Sequence, residues 1–274
     1  MTKTRLKVLK HYLNRSKHHT NVRFGELMRY LTDSSYQAKA ARMIESRTPA
    51  GDFNEVRFKG HAGSLSYPRK FPMSSLDQVV VESLYDTNWH YYEIPQTRVL
   101  PDDVVVDCGA AEGMFGFLVA DRCKKAYMIE PLPTFCEAMQ KTFASKTNVE
   151  VVPVALSDTE GTARMNEDSI ASSLNDSVVG IEVKVTTLDR LFFDTGVRVD
   201  YIKMDLEGFD CRALRGAEQL IRRDKPRIAV TTYHAYDDAS DIETFLKRVV
   251  PEYQILTKGI YQNSGCPVML HAWT

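Results

Sequence analysis

Val104 to Gly116 reads VVVDCGAAEGMFG, an apolar run that passes through Asp107 into a turn of small residues. Such a run predicts a buried strand, and Gly109 and Gly113, separated only by Ala110, Ala111 and Glu112, let the backbone come close to a ligand. MFGFLVADR then reads as a helix whose N-terminus faces that ligand. KAYMIEPLP predicts a second apolar strand ending in Glu130, about 23 residues after Asp107. Rossmann-like sheets place an acidic residue on a ribose about 20 residues along, so the two strands imply a nucleoside cofactor.

The turn discriminates between cofactors. Dinucleotide enzymes use G-x-G-x-x-G to seat a pyrophosphate on bare helix N–H groups, whereas these glycines fall as D-x-G-x-x-x-G with acidic Glu112 inside. A carboxylate there repels a pyrophosphate and disfavours a nicotinamide oxidoreductase. S-adenosylmethionine carries a cationic sulfonium and an ammonium, which acidic residues attract. An ordinary strand–turn–helix without a ligand is the plain alternative.

Composition bounds the rest. The 274 residues suffice for one large domain with an appendage, or for one domain and a small second one, and the formal net charge of −1 is near balance but unevenly spread. Cys108, Cys123, Cys136, Cys211 and Cys266 contain no C-x-x-C pair, which suits reduced thiols rather than a zinc site. No apolar run is long enough for a membrane span, and no signal-peptide core is present, so a cytoplasmic protein is expected and the Asn14-Arg15-Ser16 sequon carries no meaning. Residues 1–30 hold eight Lys or Arg against the single acid Glu26, with His11, His18 and His19 among them. LKVLKHYL places Leu6, Leu9 and Leu13 at helical spacing, so this arm reads first as a helix packed by its leucine stripe on the main domain or on another subunit. The alternatives are contact with nucleic acid, an anionic membrane surface or a phosphorylated substrate, of which nucleic acid is disfavoured because no base-stacking aromatics are interleaved with the charges.

Residues 1–46 read as helical, with a break at Ser34-Ser35 and a stop at Thr48-Pro49-Ala50-Gly51. FNEVRFKG and SLSYP are short strand candidates, and SSLDQVVVESL a helix capped by Ser74 or Ser75. From residue 96 strands and helices alternate: strands 103–107, 125–130, 149–154, 182–186, 199–205 and 227–232, with helices at 114–122, 134–145, 188–193, 210–221 and 240–248. Strands 252–257 and 267–273 have only KGIYQNSG between them and predict an antiparallel hairpin. The expected fold is α/β: a mostly parallel sheet closed by that hairpin, residues 96–274, behind a mainly helical extension or lid, residues 1–95.

DYIKMDLEGFD puts Asp205, Glu207 and Asp210 at the carboxyl end of a central strand, where ligands bind in such sheets. Asp205 and Glu207, if the chain stays extended, face one side and could share a metal or a substrate hydroxyl; two carboxylates alone are a thin ligand set, so no metal is expected. Asp210 reads as a helix cap. IAVTTYHAYDD sets His234 at the neighbouring strand end, with Tyr233, Tyr236, Asp237 and Asp238 as weaker candidates; an imidazole or a carboxylate can take the proton of an attacking hydroxyl. A histidine that only satisfies buried backbone is the competing reading of His234.

VVVDCGAAEGMFGF, MIEPLPTFCEAM, VPVALSD, VTTLDRLF, DYIKMDLEGFDCRALRGAE, PRIAVTTYH and PEYQILTKGIYQNSGCPVMLHAW resemble, in that order, the blocks of FkbM-type S-adenosylmethionine-dependent methyltransferases over residues 100–274. The resemblance implies a class I methyltransferase fold, Rossmann-like with a mostly parallel seven-stranded sheet, and O-methylation of a sugar, glycan or natural-product hydroxyl. It implies a cofactor held by Asp107, Gly109, Ala110, Ala111, Glu112, Gly113, Glu130, Pro131, Ala155, Ser157 and Asp205. In this reading Glu130 holds the ribose, Val154 to Ser157 borders adenine, and His234, Asp205 or Glu207 accepts the proton. Two departures stand out: Ala111 where the family commonly has Asn, and a first 100 residues that match no block. Trp89, His90, Tyr91 and Tyr92, just upstream of the first strand, are expected near the cofactor or in the core. A nucleic-acid methyltransferase using the basic arm and a non-catalytic scaffold on the same core are the competing functions.

Overall fold

The computed structural model describes residues 2–14, 22–165, 174–175, 180–234 and 238–274. Arg15 and Ser16 of the sequon, Lys17, His18 and His19 of the basic arm, Tyr236, Asp237 and the side chain of Asp238 lie outside the described residues.

Seven strands form the central sheet in the order Gln254–Lys258, Met269–Trp273, Arg227–Thr231, Tyr201–Met204, Val104–Cys108, Lys125–Ile129, Val149–Val152. All neighbours run parallel except Met269–Trp273, which is antiparallel to both strands beside it. Parallel strands covered on both faces must be apolar throughout. Val105, Val106, Ile202, Met204, Ile228 and Val230 accordingly have no exposed surface. The strand order reverses beside Val104–Cys108, so the crevice at the carboxyl ends of this strand and its neighbour Tyr201–Met204 is the expected ligand site.

The strand expected at 182–186 forms, as Ile181–Thr186, but outside the central sheet. It pairs in parallel with Ala155–Leu156 and antiparallel with Gly161–Met165, in a separate four-stranded sheet whose fourth member is Leu174–Asn175. Its alternation of exposed and buried residues, with Val183 and Val185 facing inward, is that of a half-buried antiparallel strand.

The N-terminal part is not simply helical. Helices Lys3–Leu13, Phe24–Thr32 and Tyr36–Met43 lead into a three-stranded antiparallel meander, Ile44–Ala50, Phe53–Phe58 and Leu65–Pro68. Thr48 to Ala50 therefore continue a strand, and Gly51, with φ of +61°, makes the hairpin tip. The next helix begins at Met73 with Pro72 as N-cap and no side-chain cap, so neither Ser74 nor Ser75 caps it. The leucine stripe does not pack on the main domain: Leu6 and Leu13 are exposed, and the first helix instead buries Val8, with Leu9 and Tyr12, against Val22, Leu27, Ile260 and Trp89. Val8 and Tyr12 are one turn apart and define that face, while Leu6 and Leu13 lie on the opposite one.

The meander and helix Met73–Leu84 share a core with the central domain. Phe58, Leu65, Tyr67, Leu76 and Val80 pack with Met114, Leu132 and Phe135, and Phe71 stacks on Phe135 at a centroid distance of 4.9 Å. Each such fully buried side chain contributes roughly 1.5–3 kcal/mol, which fixes helix Met73–Leu84 as a wall over the carboxyl ends of the sheet.

Candidate active site

That wall encloses a cavity of about 470 Å³, within the range of roughly 300–1,000 Å³ typical of small-molecule sites. Gly109, Ala110, Ala111 and Glu112 form its floor; Glu130, Pro131 and Leu132 one side; Val154, Ala155 and Leu156 another. Asp205, Leu206, Glu207, Phe209 and Tyr233 close the far side, and Ser75, Gln78, Glu82, His90 and Tyr92 reach in from the N-terminal wall. The turn is built by tight backbone approach. Gly109 has φ of +75°, and a Cβ there would lie 2.0 Å from the Asp205 carbonyl oxygen. Ala111 is itself left-handed, with φ of +47°, a conformation that costs a residue with a side chain about 1–2 kcal/mol.

Glu130 sits where the spacing puts it and also braces the local backbone, since its carboxylate accepts the Ala111 N–H at 3.0 Å and the Leu132 N–H at 2.9 Å. Burial pushes its carboxyl up to about 7, against those hydrogen bonds and the Lys203 charge. Burial does the same to Glu112, also about 7, and Glu112 Oε2 is buried without a hydrogen-bond partner. A buried acceptor with no donor costs free energy that a cationic ligand would recover.

Three of the expected cofactor residues do not line the cavity. Asp107 lies beneath the floor, fully buried, with Oδ1 2.9 Å from Lys203 Nζ. Lys203 donates to the Gly109 carbonyl at 2.6 Å; burial opposes its charge, but Asp107 and Asp205 hold its pKa above the ordinary value. Asp107 and Lys203 therefore brace the turn from below. Gly113 caps helix Met114–Val119 with φ of +85°, packed on Met139 and Phe143. Ser157 turns away from the cavity, with its hydroxyl donating to Asp158 at 3.1 Å.

Asp205 is the hub of the far side. Its Oδ1 accepts from Thr231 Oγ1 at 3.0 Å and its Oδ2 from Tyr92 Oη at 2.8 Å. Burial works against its charge, but His90, Lys203 and His234 hold the carboxyl below the ordinary range. Two imidazoles flank it. His90 Nε2 is 3.2 Å from Tyr233 Oη and 3.7 Å from Asp205 Oδ2, and its Nδ1 is 3.8 Å from Glu82. His234 stands behind Asp205 and outside the cavity lining, with Nε2 3.2 Å from Glu207 Oε2 and 3.7 Å from Asp205 Oδ1, and Nδ1 3.5 Å from Asp210. Burial alone would lower the His234 pKa, but the close contacts to Asp210 and Glu207 and the Asp205 charge push it up to about 11. A histidine so held is charged at neutral pH and is no free base.

Asp210 is not the helix cap expected of it: Phe209 is the N-cap, without a side-chain cap bond, and Asp210 is the first helical residue. It accepts from Leu206 N–H at 3.0 Å and Gly208 N–H at 3.3 Å, pinning the bend in which Glu207 has φ of +51°. Asp205 and Glu207 thus meet through a left-handed bend rather than along an extended strand. Lys203 and Glu82 were not anticipated as site residues. A lysine inside the apolar run YIKM was a usable signal, since a fully buried lysine needs a partner; nothing in SSLDQVVVESL distinguishes Glu82.

The family profile of the methyltransferase FkbM domain matches residues 107–253, from the Asp107 turn past the His234 strand end. The chain belongs to the FkbM methyltransferase family. No curated protein matches the chain in sequence. Among solved structures, methyltransferase FkbM from Methylobacillus flagellatus KT superposes with a TM-score of 0.51 at 20% identity, over 73% of this chain and 55% of that one. The present FkbM chain thus spans about half the length of that relative. TYW2 from M. jannaschii, solved in complex with AdoMet, gives a TM-score of 0.45 at 12% identity, over 82% of this chain and 87% of that one. An rRNA methylase from Streptococcus thermophilus gives 0.40 at 14% identity, over 64% and 89%. The class I methyltransferase fold is that of the central domain. Among the described residues, no helix is long and apolar enough to cross a membrane.

Proposed function

We propose that this FkbM domain is an S-adenosylmethionine-dependent O-methyltransferase that acts on a hydroxyl of a sugar, glycan or natural product by direct in-line displacement. The observation that carries the reading is the cavity, which has two chemically distinct ends. One end, Gly109 to Glu112 with Glu130, offers close backbone and buried carboxylates. The other, Gln78, Glu82, His90, Asp205 and Glu207 among the rings of Tyr92, Phe209 and Tyr233, offers many hydrogen-bonding groups beside aromatic faces. A polyhydroxylated acceptor suits that second end.

The unpartnered Glu112 Oε2 fits a cationic cofactor, so the residues present suit the group. When bound, S-adenosylmethionine supplies a methyl group activated by a positively charged sulfur. Glu112 would hold its ammonium. Glu130, with lone pairs left after its two backbone contacts, would hold the ribose hydroxyls, and Val154 to Leu156 would border the adenine. His90, which faces the cavity where His234 does not, would take the acceptor proton, with Asp205 and Tyr233 orienting its ring. Positioning and exclusion of water by the N-terminal wall contribute the remainder.

Calorimetric titration with S-adenosylhomocysteine, with NAD as control, tests the cofactor. Micromolar binding of the former alone is expected and justifies screening labelled methyl transfer to sugar and polyketide hydroxyls; binding of neither ligand overturns the reading.

A further inference from the structure

Among the described residues, one carboxylate–carboxylate–imidazole set, Asp205, Glu207 and His234, presents one donor atom each within 4.8 Å of one another. The set is more than a cluster of acids. The His234 side chain is 9% exposed, and neither of its ring nitrogens has a hydrogen-bond partner. Its Nε2 points between Glu207 Oε2, at 3.2 Å, and Asp205 Oδ1, at 3.7 Å, separations that bring all three donors around a common point.

The surroundings are built as an outer coordination shell. A metal-bound histidine generally turns its second ring nitrogen to a carboxylate that fixes its orientation. Asp210, fully buried, stands 3.5 Å from His234 Nδ1 and is itself held by the Leu206 and Gly208 N–H groups. The carboxylate of Asp205 is likewise oriented, by Thr231 on one oxygen and Tyr92 on the other. Glu207 reaches the set only because its backbone takes the left-handed conformation before Gly208. Three acids around one imidazolium leave an excess of negative charge that a cation offsets, and the proton on His234 Nε2 leaves to water as the cation binds.

We propose that Asp205, Glu207 and His234 bind a divalent first-row transition-metal cation at the edge of the cavity. Two oxygens and one imidazole nitrogen suit Mn²⁺, Fe²⁺ or Zn²⁺ better than Mg²⁺ or Ca²⁺, whose sites are built of oxygen, and no thiolate belongs to the set. Three protein ligands leave coordination positions open toward the cavity, which Asp205 and Glu207 line. The ion's role rests on the methyltransferase reading: an acceptor hydroxyl on the cation would be oriented and made more acidic, easing proton loss to His90. The binding site itself does not depend on that reading.

The test is Mn²⁺ binding to the full chain, stripped with chelator and dialysed, followed by electron paramagnetic resonance and calorimetry. One Mn²⁺ per chain is expected, with affinity at least about ten-fold weaker in Glu207→Gln and His234→Gln and about 10–100-fold weaker in Asp210→Asn, which removes the orienting charge and one of the two acceptors that pin the Glu207 bend. Glu207 is about one-third exposed, so Glu207→Gln keeps the test decisive if the His234 variant fails to fold. Absence of stoichiometric Mn²⁺ and Zn²⁺ binding in the wild type, or unchanged Mn²⁺ affinity in a folded Glu207→Gln variant, overturns the site. Titrating S-adenosylhomocysteine into the same stripped protein separates the two ideas. Cofactor binding without metal binding removes the cation and leaves the methyltransferase reading, whereas metal binding without cofactor binding upholds the cation site alone.

Discussion

Single residues in the turn set both affinity and strain. Glu130 ties Ala111 and Leu132 into the cavity wall, so Glu130→Ala frees two N–H groups and also removes the proposed ribose contact. S-adenosylhomocysteine affinity is expected to fall about ten-fold or more, equivalent to about 1.4 kcal/mol, as calorimetry would read. Ala111 carries the opposite lesson. Asparagine adopts φ near +50° more readily than alanine does, so Ala111→Asn, which restores the residue common in the family, is expected to raise Tm by a degree or more. An unchanged or lower Tm would show that the left-handed turn is not strained by its alanine. Asp107 shows why residue roles were only partly legible: a strand-end acid reads the same whether it meets a ligand or a buried Lys203 one strand away. Only the pairing of Asp107 with Lys203 across adjacent strands tells them apart.

Elements were legible where periodicity and burial agree. The alternation after residue 96 and the closing hairpin follow from apolar runs of strand length separated by turns, and the sheet order confirms them. The strand at 44–50 escaped because IESRTPA is largely exposed and polar, and forms through pairing with FNEVRF rather than by its own pattern. Helix Met73–Leu84 was legible, but not its place over the cavity, since that depends on long-range packing of Phe71, Leu76 and Val80. Its Glu82, pushed up by burial, faces the cavity beside His90. Glu82→Gln, neutral and of similar shape, is therefore expected to leave Tm unchanged or higher while raising the KM for the acceptor and leaving S-adenosylhomocysteine affinity intact. A matched loss of cofactor affinity would place Glu82 at the wrong end of the cavity.

For the whole molecule, the buried acids make stability depend on pH. Glu112 and Glu130 have carboxyls near 7 when folded, against an ordinary value of 4.5. Their neutral forms are favoured by folding, so this contribution is fully present below about 4.5, is lost as pH rises through about 7, and is absent above it. Tm is expected to fall between pH 5 and pH 8, with a shallower fall in Glu112→Gln. A slope identical to wild type would mean Glu112 ionises freely in the folded chain. A cationic cofactor reverses the sense locally, so binding near pH 7 should release protons, which calorimetry in buffers of different ionisation heat detects.

The segment joining the N-terminal wall to the first core strand is tied mainly to distant parts of the chain. Thr97 meets the buried His271, Lys258 donates to the Tyr91 carbonyl, Arg227 to the Arg98 carbonyl, and Tyr201 to the Tyr92 carbonyl. During synthesis, a ribosome that has delivered the Asp107–Gly113 turn has not yet delivered these anchors. The wall can pack on Met114, Leu132 and Phe135 as soon as these are made, but the linker behind it stays untied from Tyr201, Arg227, Lys258 and His271 until their strands emerge. The proposed cofactor turn is made early and the cavity residues Asp205, Glu207 and Tyr233 late, which gives this fold a vectorial order of assembly.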